Sequence, residues 1–167
     1  MGITMEMYVA NQEEFVSLQR QLTAELRGEE EEEHLFSQLD KYPQANFSLH
    51  LRWPEDSDAL CQALIAEGLA VPSCAPNLLV EELWFDGVSA SVHRLSQELP
   101  LALAQSTEET IKALAERWVN GSILDPDRDP EYYTTAYDAA VKALFDLRQI
   151  SQEALARSQP LLFSLQW

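Results

Sequence analysis

The side chains of this chain best suited to chemistry form a thin set: His34, His50 and His93, Arg52 and Arg94, Tyr8, and a large population of carboxylates. Histidine titrates near neutral pH and is the commonest metal ligand, while arginine presents a rigid fork of donors to anions. If residues 47–53 and 88–94 are strands of one sheet, their alternation places His50, Arg52 and His93 on the same polar face. Such a face could bind an anionic or polar small molecule, or, with Glu82, a metal ion. The competing reading is the solvated outer face of an antiparallel sheet. Trp84 has two readings as well. Opposite the buried side of its strand it is either a binding anchor, the role in which tryptophan is enriched at interfaces, or a ring covered by a helix.

The spacings that mark well-known chemistries are missing. Five scattered glycines leave no phosphate-cradling GxGxxG or GxxxxGK loop. There is no HExxH, no CxxC and no GxSxG elbow, and Cys61 and Cys74 stand too far apart for a paired knuckle. No catalytic residue, metal site or cofactor is expected from motif alone. Both cysteines read as reduced thiols, Cys61 as a small core residue.

Charge is the unusual global property: 28 acidic residues against 11 basic ones, a net charge of -17 over 167 residues. A field of that sign repels phosphate backbones and anionic bilayers, which argues against nucleic acid and membrane surfaces and in favour of basic partners or cations. It also keeps a protein soluble. The acidity is densest at Glu29, Glu30, Glu31, Glu32 and Glu33. Carboxylates are favourable at the positive end of a helix dipole, so this run reads as a solvated helix start. As a recognition patch it would take a basic partner. No basic n-region and no apolar run of membrane-spanning length is present, and the expected compartment is the cytoplasm.

The elements that must position these groups follow from periodicity. Residues 3–9 alternate as a strand, with Ile3, Met5, Met7 and Val9 on one side. Asn11 caps a helix carrying Phe15, Leu18, Leu22 and Leu26, which Gly28 is expected to stop. Residues 47–53 alternate as a strand with Phe47, Leu49, Leu51 and Trp53 on one face. Asp56 or Ser57 opens a helix burying Leu60, Leu64 and Ile65, with Gly68 and Leu69 as its ending. Asp86-Gly87 suits a type I′ turn, pairing Phe85 with Val88 and Leu83 with Ala90 and turning Trp84, Ser89, Ser91 and His93 to the other face. Residues 99–104 read as a short strand. Ser106 caps a helix with Ile111, Leu114, Ala115 and Trp118 inward and Gly121 past its end.

The clearest pattern is the last one. Asp129 and Pro130 mark a helix start, and an apolar stripe from Tyr133 through Ala136, Tyr137, Ala140, Val141, Leu144, Leu147, Ala154 and Leu155 follows. Pro160 then precedes a strand in which Leu161, Phe163, Leu165 and Trp167 alternate with Leu162, Ser164 and Gln166. Adjacent strands are too many for a doubly wound sheet. The fold expected is one α+β domain, a mixed or antiparallel sheet packed by helices, with the long C-terminal helix running into a terminal strand.

Three features resemble the YfbM-like family of uncharacterised bacterial proteins. These are Met1-Gly2-Ile3 leading into a strand and helix, Leu39-Asp40-Lys41 followed by Leu49-His50-Leu51, and Ala143-Leu144-Phe145 with Ala154-Leu155-Ala156 and Leu161-Leu162-Phe163. The chain departs from the family pattern in the longer spacing from Lys41 to His50, in Pro43 within it, and in Tyr42 where a tryptophan is expected. The resemblance implies a single α+β bacterial cytoplasmic domain and brings no activity with it. Function is therefore expected from surface chemistry. The first reading is a non-enzymatic protein-interaction module with a basic partner; the alternative is a small-molecule-binding protein or enzyme built on His50, Arg52 and His93.

Overall fold

A computed structural model describes residues 4–24, 28–46, 55–69, 79–121 and 130–166. Within them run β1 (Thr4–Val9), α1 (Gln12–Thr23), α2 (Glu29–Leu39), β2 (Gln44–Asn46), α3 (Glu55–Ala66), β3 (Leu79–Phe85), β4 (Ala90–Leu95), α4 (Glu98–Ala104), α5 (Glu108–Gly121), α6 (Pro130–Arg157) and β5 (Leu161–Gln166). The strands form one antiparallel sheet in the order β2-β1-β5-β4-β3, so the fold is α+β. The last strand is the central one. The expected strand over residues 47–53, with His50, Arg52 and Trp53, lies outside the described residues, as do Cys74 and Trp167.

Alternation along β1 and β5 splits the core in two. Met5, Met7, Val9, Leu161, Phe163 and Leu165 face α3, α5 and α6 in the larger cluster, which holds Leu60, Cys61, Leu64, Leu144, Leu147 and Trp118. Tyr8 and Leu162 face the other way, against Phe15 and Leu18 of α1 and Leu35 and Leu39 of α2. Rings order this smaller layer: Tyr8 and Phe15 lie 4.7 Å apart, and Phe15 meets Tyr42 edge-on at 5.7 Å. Burial pushes the Tyr8 phenol well above its usual range, and its hydroxyl donates to Glu6 at 2.5 Å, which pushes the same way. The sheet is thus covered on both sides, and among the described residues no solvated polar face runs across its centre. Where polar side chains sit under α1 they are shielded: Ser164 is buried, and the Gln19 carbonyl accepts from Gln166 at 3.3 Å.

Helix ends were the least legible features. Asn11 caps α1 as expected, its carbonyl accepting the amides of Glu13 and Glu14. The helix then ends at Thr23, whose hydroxyl donates back to the Gln19 carbonyl at 3.0 Å. Gly28 is not its terminator; at φ -79° it is the N-cap of α2. Asp56 and Ser57 fall inside the first turn of α3, which begins at Glu55, and Ile65 is 40% exposed, not buried. Gly68 and Leu69 do close α3 as a Schellman motif, with Leu69 N–H on the Leu64 carbonyl and Gly68 N–H on that of Ile65. Residues 99–104 are helical in α4, not a strand. Leucine and alanine favour helix, Pro100 sits in the first turn where no backbone donor is required, and Leu99, Pro100 and Leu103 turn inward. Thr107, one residue after Ser106, caps α5 by accepting the Thr110 amide, and Gly121 is still helical, packed against Ala59.

The hairpin also departs from expectation. Asp86 N–H bonds the Ala90 carbonyl, leaving Gly87, Val88 and Ser89 as a three-residue loop, with Gly87 at φ +87°. One Asp86 oxygen accepts from the amides of Val88, Ser89 and Ala90 at 2.8, 2.8 and 3.0 Å, so the carboxylate collects the donors that a type I′ turn would have left elsewhere. Val88 is consequently at the tip and 76% exposed. The same bonds hold the Asp86 carboxyl down at about 2. A depressed folded-state value means a contribution present above the unfolded range near pH 4 and lost as pH falls through about 2. Asp86→Asn should therefore be less stable than the parent at neutral pH, and the two melting curves should converge on acidification from about pH 4 to about pH 2.

Candidate functional site

The polar-face site is not assembled among the described residues. His93 lies in β4 opposite Glu82 of β3, while the register shift between Glu82 and Trp84 leaves Trp84 opposite Val92. Leu83 is the extra residue of a β-bulge, which switches the face presented by the strand. His93 and Ser91 therefore share the Phe163 face, whereas Trp84 is half-buried on the opposite one, in the smaller core beneath α1. Trp84 is only partly covered, and it is Phe85, expected inside, that is exposed.

His93 Nε2 and Ser91 Oγ share a hydrogen bond of 2.9 Å, with Glu82 across the strand. Burial pushes the His93 imidazole down from its usual value, against an opposing pull from Glu82. A hydroxyl, an imidazole and a carboxylate in sequence would suit nucleophilic chemistry, and here the hydroxyl belongs to a residue only 3% exposed. Ser91 and His93 pair across the strands with Leu165 and Phe163 of β5. His50 and Arg52 lie outside the described residues, and among the described ones no group of His, Cys, Asp or Glu is placed to hold a metal ion.

The acidic run forms the opening turn and a half of α2, and all five glutamates are exposed. His34 bonds Gln38 one turn on, at 2.8 Å. Leu35 and Leu39 are buried, but Phe36 between them is 49% exposed. On a helix its neighbours four back, three back and four forward are Glu32, Glu33 and Asp40, so an aromatic ring stands among carboxylates. Asp40 is also the rim of a hollow of about 360 Å³ lined by Lys41, Tyr42, Pro43 and Gln44 and, from α6, Asp146, Gln149, Ile150 and Glu153. Two of its acids are engaged at the surface: Asp146 with Lys142 at 2.7 Å and Glu153 with Arg157 at 3.0 Å. Exposed pairs of this kind contribute little and exchange readily.

A second hollow, of about 450 Å³, opens where the carboxyl ends of β1 and β4 flank the start of β5. Gln12, Arg94 and Gln97 line it with Pro100 and Leu101 of α4 and Ala154, Leu155, Ser158, Gln159, Pro160 and Leu161 at the α6–β5 corner. A third, of about 590 Å³, lies between α3 and α5 beside Asp58 and Arg117. No periodicity could have assembled the second hollow, because antiparallel pairing alone brings Gln12, Arg94 and Leu161 to one end of the sheet. No protein-family model, curated protein or solved structure matches the chain, and the YfbM-like resemblance rests on the residues that suggested it.

Proposed function

We propose that the protein is a non-enzymatic interaction module whose partner is a basic, apolar-flanked protein segment received across α2 and the hollow at its C-terminal end. The observation that supports this reading most is the shared residue Asp40: it joins the acidic, Phe36-bearing face of α2 to a hollow with two further carboxylates on α6. A lysine or arginine stem would lie on Tyr42 and Ile150 while its charged head exchanged into the existing surface pairs. Phe36 would supply the apolar contact. The net charge of -17 steers a cation toward the surface, and local geometry decides where it settles. Among the described residues no helix is long and apolar enough to cross a membrane.

The test is titration calorimetry with a short amphipathic Lys/Leu peptide. Affinity should fall as salt rises from about 50 to about 300 mM. The double variant Asp146→Asn/Glu153→Gln should weaken binding about fivefold or more at low salt, and Phe36→Ala should do so at high salt. A matched removal of charge on α1, Glu13→Gln/Glu14→Gln, should change little. If that control weakens binding as much as the hollow variants do, affinity comes from net charge and the assigned surface is wrong.

A further inference from the structure

The hollow at the carboxyl ends of β1 and β4 carries a different chemistry from the acidic surface. Its walls are mainly aliphatic, and two leucines at its mouth, Leu101 and Leu155, are 51% and 40% exposed. Its volume of about 450 Å³ falls within the range of small-molecule sites, which are apolar clefts with a few polar groups set among them. Among the described residues the one charged residue lining it is Arg94, in a chain with 11 basic residues against 28 acidic ones. Arg94 Nη2 meets Glu81 Oε2 at 2.8 Å, and the Arg94 side chain is 34% exposed. A guanidinium carries five N–H donors in a planar fork, so one carboxylate at Nη2 leaves donors for a second.

Ser158 adds an independent observation. It is the only non-glycine residue with positive φ among the described residues, at +52°. It stands at the Schellman ending of α6, where Gln159 N–H bonds the Ala154 carbonyl and Ser158 N–H that of Leu155. Glycine is the low-strain residue at such a position. Here the strained position carries a hydroxymethyl group instead, and Ser158 lines the cleft. Strain of this kind clusters where a side chain serves a ligand.

We infer that this cleft binds a small organic carboxylate with an apolar body: the carboxylate on Arg94, the Ser158 hydroxyl and neighbouring glutamine amides as neutral partners, and the apolar body between Leu101 and Leu155. Arg94 selects an anion locally against the repulsion of the acidic protein as a whole, which restricts the ligand to one whose apolar part supplies most of the binding.

The probes are decanoate and decanol, which share an apolar chain and differ in the charge of the head. Binding to the full chain is followed by titration calorimetry and by amide chemical shifts. Decanoate is expected to bind at least about tenfold more tightly than decanol, with shifts concentrated at Gln97, Leu101, Leu155 and Ser158. Arg94→Gln should abolish that preference while keeping decanol binding, and Arg94→Lys should restore part of it. Leu155→Glu, at an exposed position, should abolish binding of decanoate. Equal affinity of the parent for both probes, or an unchanged preference in a folded Arg94→Gln variant, overturns the inference. Absence of decanoate shifts at millimolar concentration overturns it as well. The Asp146→Asn/Glu153→Gln variant should bind decanoate like the parent, which separates this site from the surface proposed for a basic segment.

Discussion

Ending the chain after Ser158 should abolish the cooperative fold, not trim a tail. The residues removed include β5, which pairs with β1 on one side and β4 on the other. Without it the sheet divides into the β2–β1 pair and the β3–β4 hairpin, and isolated two-stranded pairs are marginal in water. Leu161, Leu162, Phe163 and Leu165 are all buried. At about 1.5–3 kcal/mol for each such side chain, their burial alone contributes roughly 6–12 kcal/mol. Total stability of a domain is about 5–15 kcal/mol, so the loss is comparable with the whole. The helices would retain some local order, but α6, which packs against β1, β2 and β5, would lose its floor. The measurement is urea unfolding followed by circular dichroism and by tryptophan fluorescence. The truncated chain should show no sigmoidal transition in either, whereas a shared cooperative transition would show β5 to be dispensable.

That central position was legible only in part. The helix beginning at Pro130, the strand beginning at Leu161 and the α+β class follow from spacing, because a long stripe at helical period and a strict alternation each fit a single backbone geometry. What spacing could not show is that β5 enters the middle of the sheet. Sheet order depends on contacts between residues far apart in sequence, such as Glu6 with Ser164. Local chemistry misled in identifiable places. Asp86-Gly87 suited a two-residue turn, yet the Asp86 carboxylate had three amides within reach and closed a longer loop. The resulting register, together with the bulge at Leu83, turned Trp84 inward and Phe85 outward. Leu155 fitted the buried stripe of α6 but lies at the end of a 28-residue helix, where it rims an open cleft instead of the core. The exposure of Phe36 was not legible: it stands three residues before Leu39, a spacing that puts both on one helix face, and only the way α2 packs turns Leu35 and Leu39 inward and leaves Phe36 out.

The covering of both sheet faces makes a second prediction, one that the alternation of β5 by itself would not make. In a sheet with one solvated face, residues 162, 164 and 166 would tolerate substitution, and Leu162→Ala would fall within about 0.5 kcal/mol of the parent. Here Leu162 is fully buried between Tyr8, Val92 and the helices α1 and α2. Removing its branched end leaves a cavity that those rigid neighbours cannot refill, at a cost of about 2–5 kcal/mol. Phe163→Ala, on the opposite face, should cost about 3–5 kcal/mol for the same reason. Gln166 lies on the Leu162 side but at the rim and half-exposed, so Gln166→Ala should cost far less. In urea titrations the two core variants should show lower midpoints with unchanged slopes, because each loses stability without altering the surface exposed on unfolding. A tolerant Leu162 beside a sensitive Phe163 would mean that α1 and α2 do not pack on the sheet. It would also remove the base on which the acidic face of α2 is presented, so the position of Phe36 and the proposal built upon it depend on this pair of measurements.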